Sequence, residues 1–329
     1  MKEYQAGIVG TGHSLPDGVI TNLDLERMVE TSDEWITTRT GIKERRRANA
    51  DQATSYFAVR AARQALERAN MDANELDMII CATVCPDMAL PSTACLIQAE
   101  LGAKRAAAFD MAAACSGFLY GLTIADQFIG SGFHKNVLVI GAELLTRYVD
   151  YTDRSTCVIF GDGAGAAVVS RLQDKNRGIL ATRIQSDGDQ AEYLFTPGGG
   201  TKYPASHESV DKRLHFIKMR GNELFKVAVR NMSEISRQVL DEVRMTADDI
   251  DLFIPHQANQ RITDAVAERL NVPKEKIYAN ISRIGNTSSA SIPIALDECV
   301  QENRLKPGDV VMMSAFGAGV TWGAVLMRW

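Results

Sequence analysis

Apolar residues fall into two kinds of segment along this chain. Short continuous runs of strand type occur at Ala6–Gly10, Met78–Ala82, Val137–Gly141, Ala164–Ser170, Leu252–Pro255 and Val310–Ala315. Longer stretches with apolar positions three and four apart occur at Ser55–Ala69, Cys115–Ile129, Gly221–Val243, Arg261–Leu270 and Ser291–Glu302, the spacing of a helix face. Strands that lack polar alternation are buried on both faces and need helices to cover them. The pattern therefore predicts an α/β layered architecture. From Leu172 to His215 it dissolves into Gly, Asp and Lys, with Gly198-Gly199-Gly200 inside, and reads as connector and surface excursion.

The pattern also repeats. Residues 62–80 (ARQALERANMDANELDMII) and 236–254 (SRQVLDEVRMTADDIDLFI) share seven of nineteen positions at an offset of 174, Arg63/Arg237 and Asp77/Asp251 among them. A weaker echo pairs residues 136–142 with 309–315 at an offset of 173. Two echoes near half the chain length predict duplicated halves, residues 1–171 and 216–329, joined by 172–215.

Composition narrows the function classes. The chain has 329 residues, 46% of them apolar, which is ample for a full core and excludes a disordered chain. Its 41 acidic and 36 basic residues leave a charge of −5, which argues against a general nucleic-acid binder. The dense basic run Lys43-Glu44-Arg45-Arg46-Arg47 is short and reads as a solvated face. Met1-Lys2-Glu3-Tyr4-Gln5 has no apolar signal-peptide core, and the uncharged stretch Met111–Ala125 falls short of the roughly 20 residues of a bilayer span. A cytoplasmic protein with no membrane partner is expected. The cysteines at 81, 85, 95, 115, 157 and 299 contain no CxxC pair and no zinc-like array with the histidines, so reduced thiols and no metal are expected.

Two glycine motifs fail as nucleotide sites. Gly7-Ile-Val-Gly10-Thr-Gly12 lacks the third glycine, and Pro16 stands where a helix should begin. Gly161-Asp-Gly163-Ala-Gly165 runs into a strand-like segment, so its glycines serve turns or close packing.

Cys115 carries the first chemical signal. An apolar segment reaches Ala114, and a helical pattern starts at Cys115 among small neighbours. A thiol at a helix N-terminus feels its positive end, which favours thiolate. His256 follows the strand-like Leu252–Pro255 in a polar loop; Asn286 follows another strand-like run, Lys276–Ile281, and opens a helix. Ala315-Phe-Gly317-Ala318-Gly319 is a glycine-rich turn able to present a backbone N–H to an oxyanion.

Seven segments then stand in one order: Thr31-Ser-Asp-Glu-Trp-Ile-Thr-Thr-Arg-Thr-Gly-Ile, Ala114-Cys-Ser-Gly-Phe, Phe160-Gly-Asp-Gly-Ala-Gly-Ala, Gly221-Asn-Glu-Leu-Phe-Lys, His256-Gln-Ala-Asn, Gly285-Asn-Thr-Ser-Ser-Ala-Ser and Thr321-Trp-Gly. With this order and spacing the chain resembles, over essentially its whole length, the β-ketoacyl-acyl carrier protein synthase III family of thiolase-like condensing enzymes. The resemblance implies a thiolase-like layered α-β-α-β-α fold from two duplicated halves, in a homodimer. It implies a Cys115, His256, Asn286 triad that takes an acyl group from acyl-CoA and condenses it with a malonyl thioester on acyl carrier protein. Acyl-CoA is then a substrate, and no cofactor is needed.

The same resemblance assigns further residues. The oxyanion hole falls on the N–H groups of Cys115 and Ala318; many relatives have Gly at the latter position. Trp35 and Arg154 match the pair that sandwiches the CoA adenine, and Thr31, Arg39, Asn222 and Asn259 match other CoA contacts. Leu145, Phe160, Leu194, Ile217 and Phe316 should line the acyl pocket, with Leu90 reaching in from a dimer partner. An acidic enzyme recruits an acidic carrier through a local basic patch, for which Lys226, Arg261 and Arg269 are the candidates. Two rival readings are a specialised condensing enzyme of quinolone- or polyketide-type metabolism and a non-catalytic partner subunit. Intact Cys115, His256 and Asn286 speak against the second.

Overall fold

The computed structural model describes residues 3–329, so Met1 and Lys2 of the leader reading lie outside the described residues. The first half folds as strand β1 (Gln5–Ser14), helices α1 (Asp33–Thr40) and α2 (Thr54–Arg68), β2 (Met78–Ala82), α3 (Thr93–Leu101), β3 (Ala107–Met111), α4 (Gly117–Gly130), β4 (Asn136–Leu144) and β5 (Asp162–Leu172). Its sheet has the order β1-β5-β4-β2-β3, with β1 and β4 antiparallel to β5 and the last three strands parallel. The second half supplies β6 (Gly178–Ser186), α5 (Gly221–Glu242), β7 (Leu252–Pro255), α6 (Gln260–Leu270), α7 (Ser291–Gln301), β8 (Val310–Gly317) and β9 (Thr321–Arg328). Its sheet runs β6-β9-β8-β7 with the same sequence of antiparallel, antiparallel and parallel pairings.

Helices α4 and α7 lie between the two sheets. Phe118, Leu122 and Ile129 of α4 and Ile292, Leu296 and Cys299 of α7 share one buried cluster with Ile80 and Val139 of the first sheet and Ile254 and Met313 of the second. Helices α2 and α5 pack outside, which completes five layers. Hydrophobic burial on both faces of each sheet is the main stabilising term, which explains why these strands read as continuous apolar runs.

The duplication is visible bond by bond. Asp77 accepts the Asn136 N–H at 2.9 Å and donates its own N–H to the Asn136 carbonyl. Asp251 does the same with Val310, at 2.8 Å for the carboxylate bond. Arg63 donates to the Glu100 carbonyl in the last turn of α3, and Arg237 to the Arg269 carbonyl in the last turn of α6. The strand echo corrects by one residue: register pairs Met78 with Val137 and Leu252 with Val311, so its offset is 174 as well.

Three other expectations change. Gly178–Ser186, assigned above to connector, is an edge strand of the second sheet, because Ile179 and Ala181 are buried against it. Lys276–Ile281 is not a strand; one bridge, Phe253 to Ile277, is all that remains of a fifth strand opposite β3. The basic run is not simply a solvated face. Glu44–Arg47 pairs with Gly18–Thr21, and Arg45 is 1% exposed. Its guanidinium donates to the Ile20 and Val158 carbonyls and to Asn22 Oδ1, and burial lowers its pKa to about 10. The rejected dinucleotide motif also has its explanation. A Cβ at Gly10 or Gly12 would lie 2.2 or 2.3 Å from the Ala65 or Ala61 carbonyl oxygen of α2. These glycines let a helix lie on β1.

Candidate active site

Cys115 lies just past the C-terminal end of β3. The chain turns through Ala114, held at φ 45°, makes one tight turn over Ala114–Ser116 and enters α4 at Gly117, two residues later than the sequence pattern predicts. The turn is tied to the C-terminal hairpin. Ser116 Oγ donates to the Thr321 carbonyl at 3.0 Å, and the Thr321 hydroxyl donates to the Ala113 carbonyl at 2.9 Å. Gly317 packs so closely that a Cβ there would lie 2.6 Å from the Cys115 nitrogen. Ala318 follows outside the positive-φ region, which Gly319 occupies at 132°, so its Cβ introduces no left-handed strain.

His256 extends β7 by one residue, with its N–H donating to the Ser314 carbonyl of β8 at 2.8 Å. Its Nδ1 is 2.6 Å from Ser291 Oγ, which also receives the Gln257 N–H at 3.4 Å. With the Ser291 hydroxyl donating to Nδ1, the ring's own proton sits on Nε2. The Nε2 atom is buried and has no hydrogen-bond partner among the described residues. Asn286 is fixed from both sides: its N–H donates to the Ile159 carbonyl, and its own carbonyl accepts the Gly161 N–H, each at 2.9 Å. Its Oδ1 accepts the Ser288 N–H at 2.8 Å, which leaves the side-chain NH2 as the free donor. Gln257 joins the two loops, donating to the Tyr278 carbonyl and accepting the Asn280 N–H.

Burial dominates the electrostatics. It lowers the His256 pKa to about 3, so the ring is neutral and serves as a hydrogen-bond donor. It pushes the Cys115 thiol up to about 12, opposite to the direction expected from the helix end. Cys115 is 6% exposed, and desolvation of a bare sulfur charge is the largest cause.

Two cavities meet at Cys115. One, of about 120 Å3, is lined by Cys115, His256, Asn286, Phe225 and Phe316. The other, of about 410 Å3, is lined by Cys115, Leu145, Tyr148, Ile217, Ser288 and Ala318, and Phe160 and Leu194 border both. Phe316, expected in the acyl pocket, lines the smaller cavity on the His256 side. Leu90 is 86% exposed on the surface, away from both cavities of its own chain.

The expected CoA residues divide. Trp35 is half-buried on α1, with the guanidinium carbons of Arg39 and Arg154 each 4.8 Å from its ring centre. Arg154 thus stacks on the indole directly, and an adenine between them requires that side chain to swing out. The Thr31 hydroxyl is buried without a partner, an open polar site beside the same helix. Asn222 is exposed in the first turn of α5. Asn259 borders the smaller cavity, but its amide caps α6 through the Arg261 N–H and donates to the Arg39 carbonyl. Lys226 and Arg261 are exposed on α5 and α6, Arg261 lying over Phe225 at 5.5 Å. Arg269 is exposed two turns farther along α6, roughly 12 Å from Arg261 at helical rise.

The sequence reading missed Ser291, Gln257, Ser288 and Glu143. The three polar ones lie inside motifs already quoted. Glu143 had its own signal, an acid closing a wholly apolar strand run.

Comparison with known proteins agrees with this geometry. Residues 240–329 match the family described as 3-Oxoacyl-[acyl-carrier-protein (ACP)] synthase III C terminal, and residues 109–188 match 3-Oxoacyl-[acyl-carrier-protein (ACP)] synthase III. The chain is 54% identical over 328 residues to the beta-ketoacyl-[acyl-carrier-protein] synthase III of Caldanaerobacter subterraneus subsp. tengcongensis, covering 100% of this chain and 99% of the relative. The crystal structure of 3-oxoacyl-[acyl-carrier-protein] synthase III from Aquifex aeolicus superposes with a TM-score of 0.91 at 55% identity, covering 98% of this chain and 100% of the other. A priming β-ketosynthase from the R1128 polyketide pathway superposes equally well, TM-score 0.91, at 33% identity over 100% and 98% of the two chains. With a duplicated five-layer fold and full-length identity of this order, the chain belongs to the β-ketoacyl-acyl carrier protein synthase III family of condensing enzymes.

Proposed function

We propose that Cys115, His256 and Asn286 carry out a two-step condensation that starts fatty acid synthesis from a short acyl-CoA and malonyl-acyl carrier protein. The observation that carries this reading is the convergence on one cavity of the thiol, the unpartnered His256 Nε2 and the oriented Asn286 amide. In the first step the Cys115 sulfur bonds to the primer carbonyl, and the bond from that carbonyl to the CoA sulfur breaks. In the second, the malonyl carboxylate leaves as carbon dioxide. The enolate oxygen accepts hydrogen bonds from His256 Nε2 and the Asn286 NH2, and the enolate carbon bonds to the acyl carbonyl of acyl-Cys115 as the bond from that carbonyl to the Cys115 sulfur breaks. This releases the 3-oxoacyl-carrier protein and leaves a Cys115 thiolate that takes up a proton from water. The N–H groups of Cys115 and Ala318 receive the oxyanion in both steps. A neutral His256 suits this role, since it donates without having to be charged.

The cavity of about 410 Å3 beside Cys115 has room for primers larger than acetyl. Thr31, Trp35, Arg39, Arg154 and Asn222 hold CoA in this reading, while Asn259 shapes the entrance as a helix cap. Lys226 and Arg261 receive the carrier protein, with Arg269 at the edge of that patch. Leu90 belongs to an exposed apolar cleft with Met88 and Pro86, which supports a second copy of the chain covering it. No helix among the described residues is long and apolar enough to cross a membrane, which suits an enzyme acting in the cytoplasm on soluble substrates. The test is intact-mass analysis after incubation with a panel of acyl-CoAs. One acyl group on the peptide containing Cys115 is expected; no adduct with any acyl-CoA would overturn the reading.

A further inference from the structure

The steps above leave a buried acid unused. Glu143, in β4 and 0% exposed, accepts the Val84 N–H at 3.0 Å and the Thr83 hydroxyl at 3.3 Å on Oε2. Its Oε1 lies 3.0 Å from the hydroxyls of both Ser288 and Ser289. These partners are neutral donors rather than a cation, an expensive setting for a carboxylate with a purely structural role. Ser288 is held at φ 50° and lines the larger cavity together with Cys115, and its hydroxyl donates to Glu143. Ser288 thus stands between the cavity that holds the thiol and the buried acid.

Both protonation states of Glu143 have partners. Ionised, it accepts from Ser288 and Ser289. Protonated, it can donate to Ser289 Oγ, because that hydroxyl has the Ala82 carbonyl as its own acceptor at 2.8 Å. His256 is a poor alternative base, since burial already disfavours its charged form.

We propose that Glu143, acting through Ser288, takes the Cys115 proton as the thiol attacks the primer and gives it back as CoA departs. The inference rests on the acyl-transfer reading above. As the sulfur–carbonyl bond forms, the thiol proton passes to Ser288 Oγ and the Ser288 proton to Glu143 Oε1. As the bond to CoA breaks, the Ser288 proton moves to the CoA sulfur and Glu143 returns its own to Ser288. The net transfer is one proton from Cys115 to CoA, with Ser288 on the cavity wall beside Cys115 and Glu143 acting through it.

Burial raises the Glu143 carboxyl above the usual range, which makes it a better base than an exposed acid. The thiols, phenol and imidazole around it are held toward their neutral forms. The Cys81 and Cys85 thiols and the Tyr148 phenol are raised, and His256 is lowered. Asp87, Asp110 and Asp162 are committed to backbone N–H groups of other segments, those of Ser55, of Thr93 and Ala94, and of Ala48 and Thr146.

The experiment measures single-turnover acetylation of Cys115 by acetyl-CoA, and its alkylation by iodoacetamide, across pH. It compares wild type, Glu143→Gln, Ser288→Ala and Glu143→Asp. At pH 7 both Glu143→Gln and Ser288→Ala should acetylate about 100-fold more slowly, the usual worth of a positioned base. The deficit should shrink as pH rises and hydroxide replaces the relay, and Glu143→Asp should recover part of the rate. An acid that acted through charge alone gives the opposite sign, because its removal favours thiolate and speeds both reactions. Faster or unchanged reaction in Glu143→Gln and Ser288→Ala overturns the proposal. So does a loss that is the same at every pH. If wild type is alkylated with the predicted Glu143 dependence but never acetylated, the relay stands and the acyl-transfer reading fails.

Discussion

The turn that presents Cys115 and the turn that follows Asn286 are one piece of structure used twice. Each begins with a left-handed non-glycine residue, Ala114 at φ 45° and Ser288 at φ 50°. Each makes one tight turn, Ala114–Ser116 and Ser288–Ala290, and each enters a central helix, at Gly117 and Ser291. All of these pairs stand at the duplication's offset of 174. What differs is the residue after the left-handed one. In the first half it is Cys115, at the junction of two cavities; in the second it is Ser289, locked to the Ala82 carbonyl and Glu143. Under the proposed function, the comparison teaches a division of labour: one copy attacks, and the other orients the donors that stabilise the enolate.

The division can be broken at several points. Cys115→Ala removes the attacking copy and should lower turnover by at least about 1000-fold, with no acyl adduct by mass. His256→Ala leaves the first copy intact. Acylation of Cys115 should persist within a few-fold, while decarboxylation of carrier-bound malonate falls about 100-fold or more, read by product formation. Ser291→Ala sharpens the point, because it frees the ring to take the other tautomer. Condensation should drop about tenfold with little change in KM for malonyl-carrier protein. Reversal of Lys226 and Arg261 to Glu tests neither copy's chemistry; it should raise KM for carrier-bound malonate about tenfold, steeply with salt, and spare acylation from CoA.

The last effect is on stability and leaves turnover aside. His256 has a pKa near 3 when folded and about 6.5 when unfolded, so below pH 6.5 the unfolded chain binds a proton that the folded chain refuses. Stability from this residue is fully present above pH 6.5 and is lost as pH falls toward 3, by at most about 1.4 kcal/mol per pH unit. His256→Phe should flatten that part of a chemical-denaturation pH series.

Much of the fold was legible because burial wrote it into the sequence. Strands buried on both faces show as apolar runs, and Asp77 and Asp251 persist because the same two bonds must be made in each half. The matching turns were not legible. Residues 112–117 (AAACSG) and 286–291 (NTSSAS) share no residue at any position, since backbone shape is common to them and chemistry is not. Cys115, His256 and Asn286 could be found from strand ends and motif order. Ser291 and Glu143 meet the site through hydrogen bonds to other side chains, and nothing in local spacing reveals a partner 35 or 145 residues away. A helix end is likewise visible in sequence, and the desolvation that raises the Cys115 thiol is not.

The most direct test of the division is Asn286→Ala given acetyl-CoA and malonyl-carrier protein together, followed by intact mass and carbon dioxide release. The account predicts that Cys115 fills with one acetyl group and stays filled, with almost no carbon dioxide evolved. Loss of the adduct, or carbon dioxide release at the wild-type rate, would contradict it.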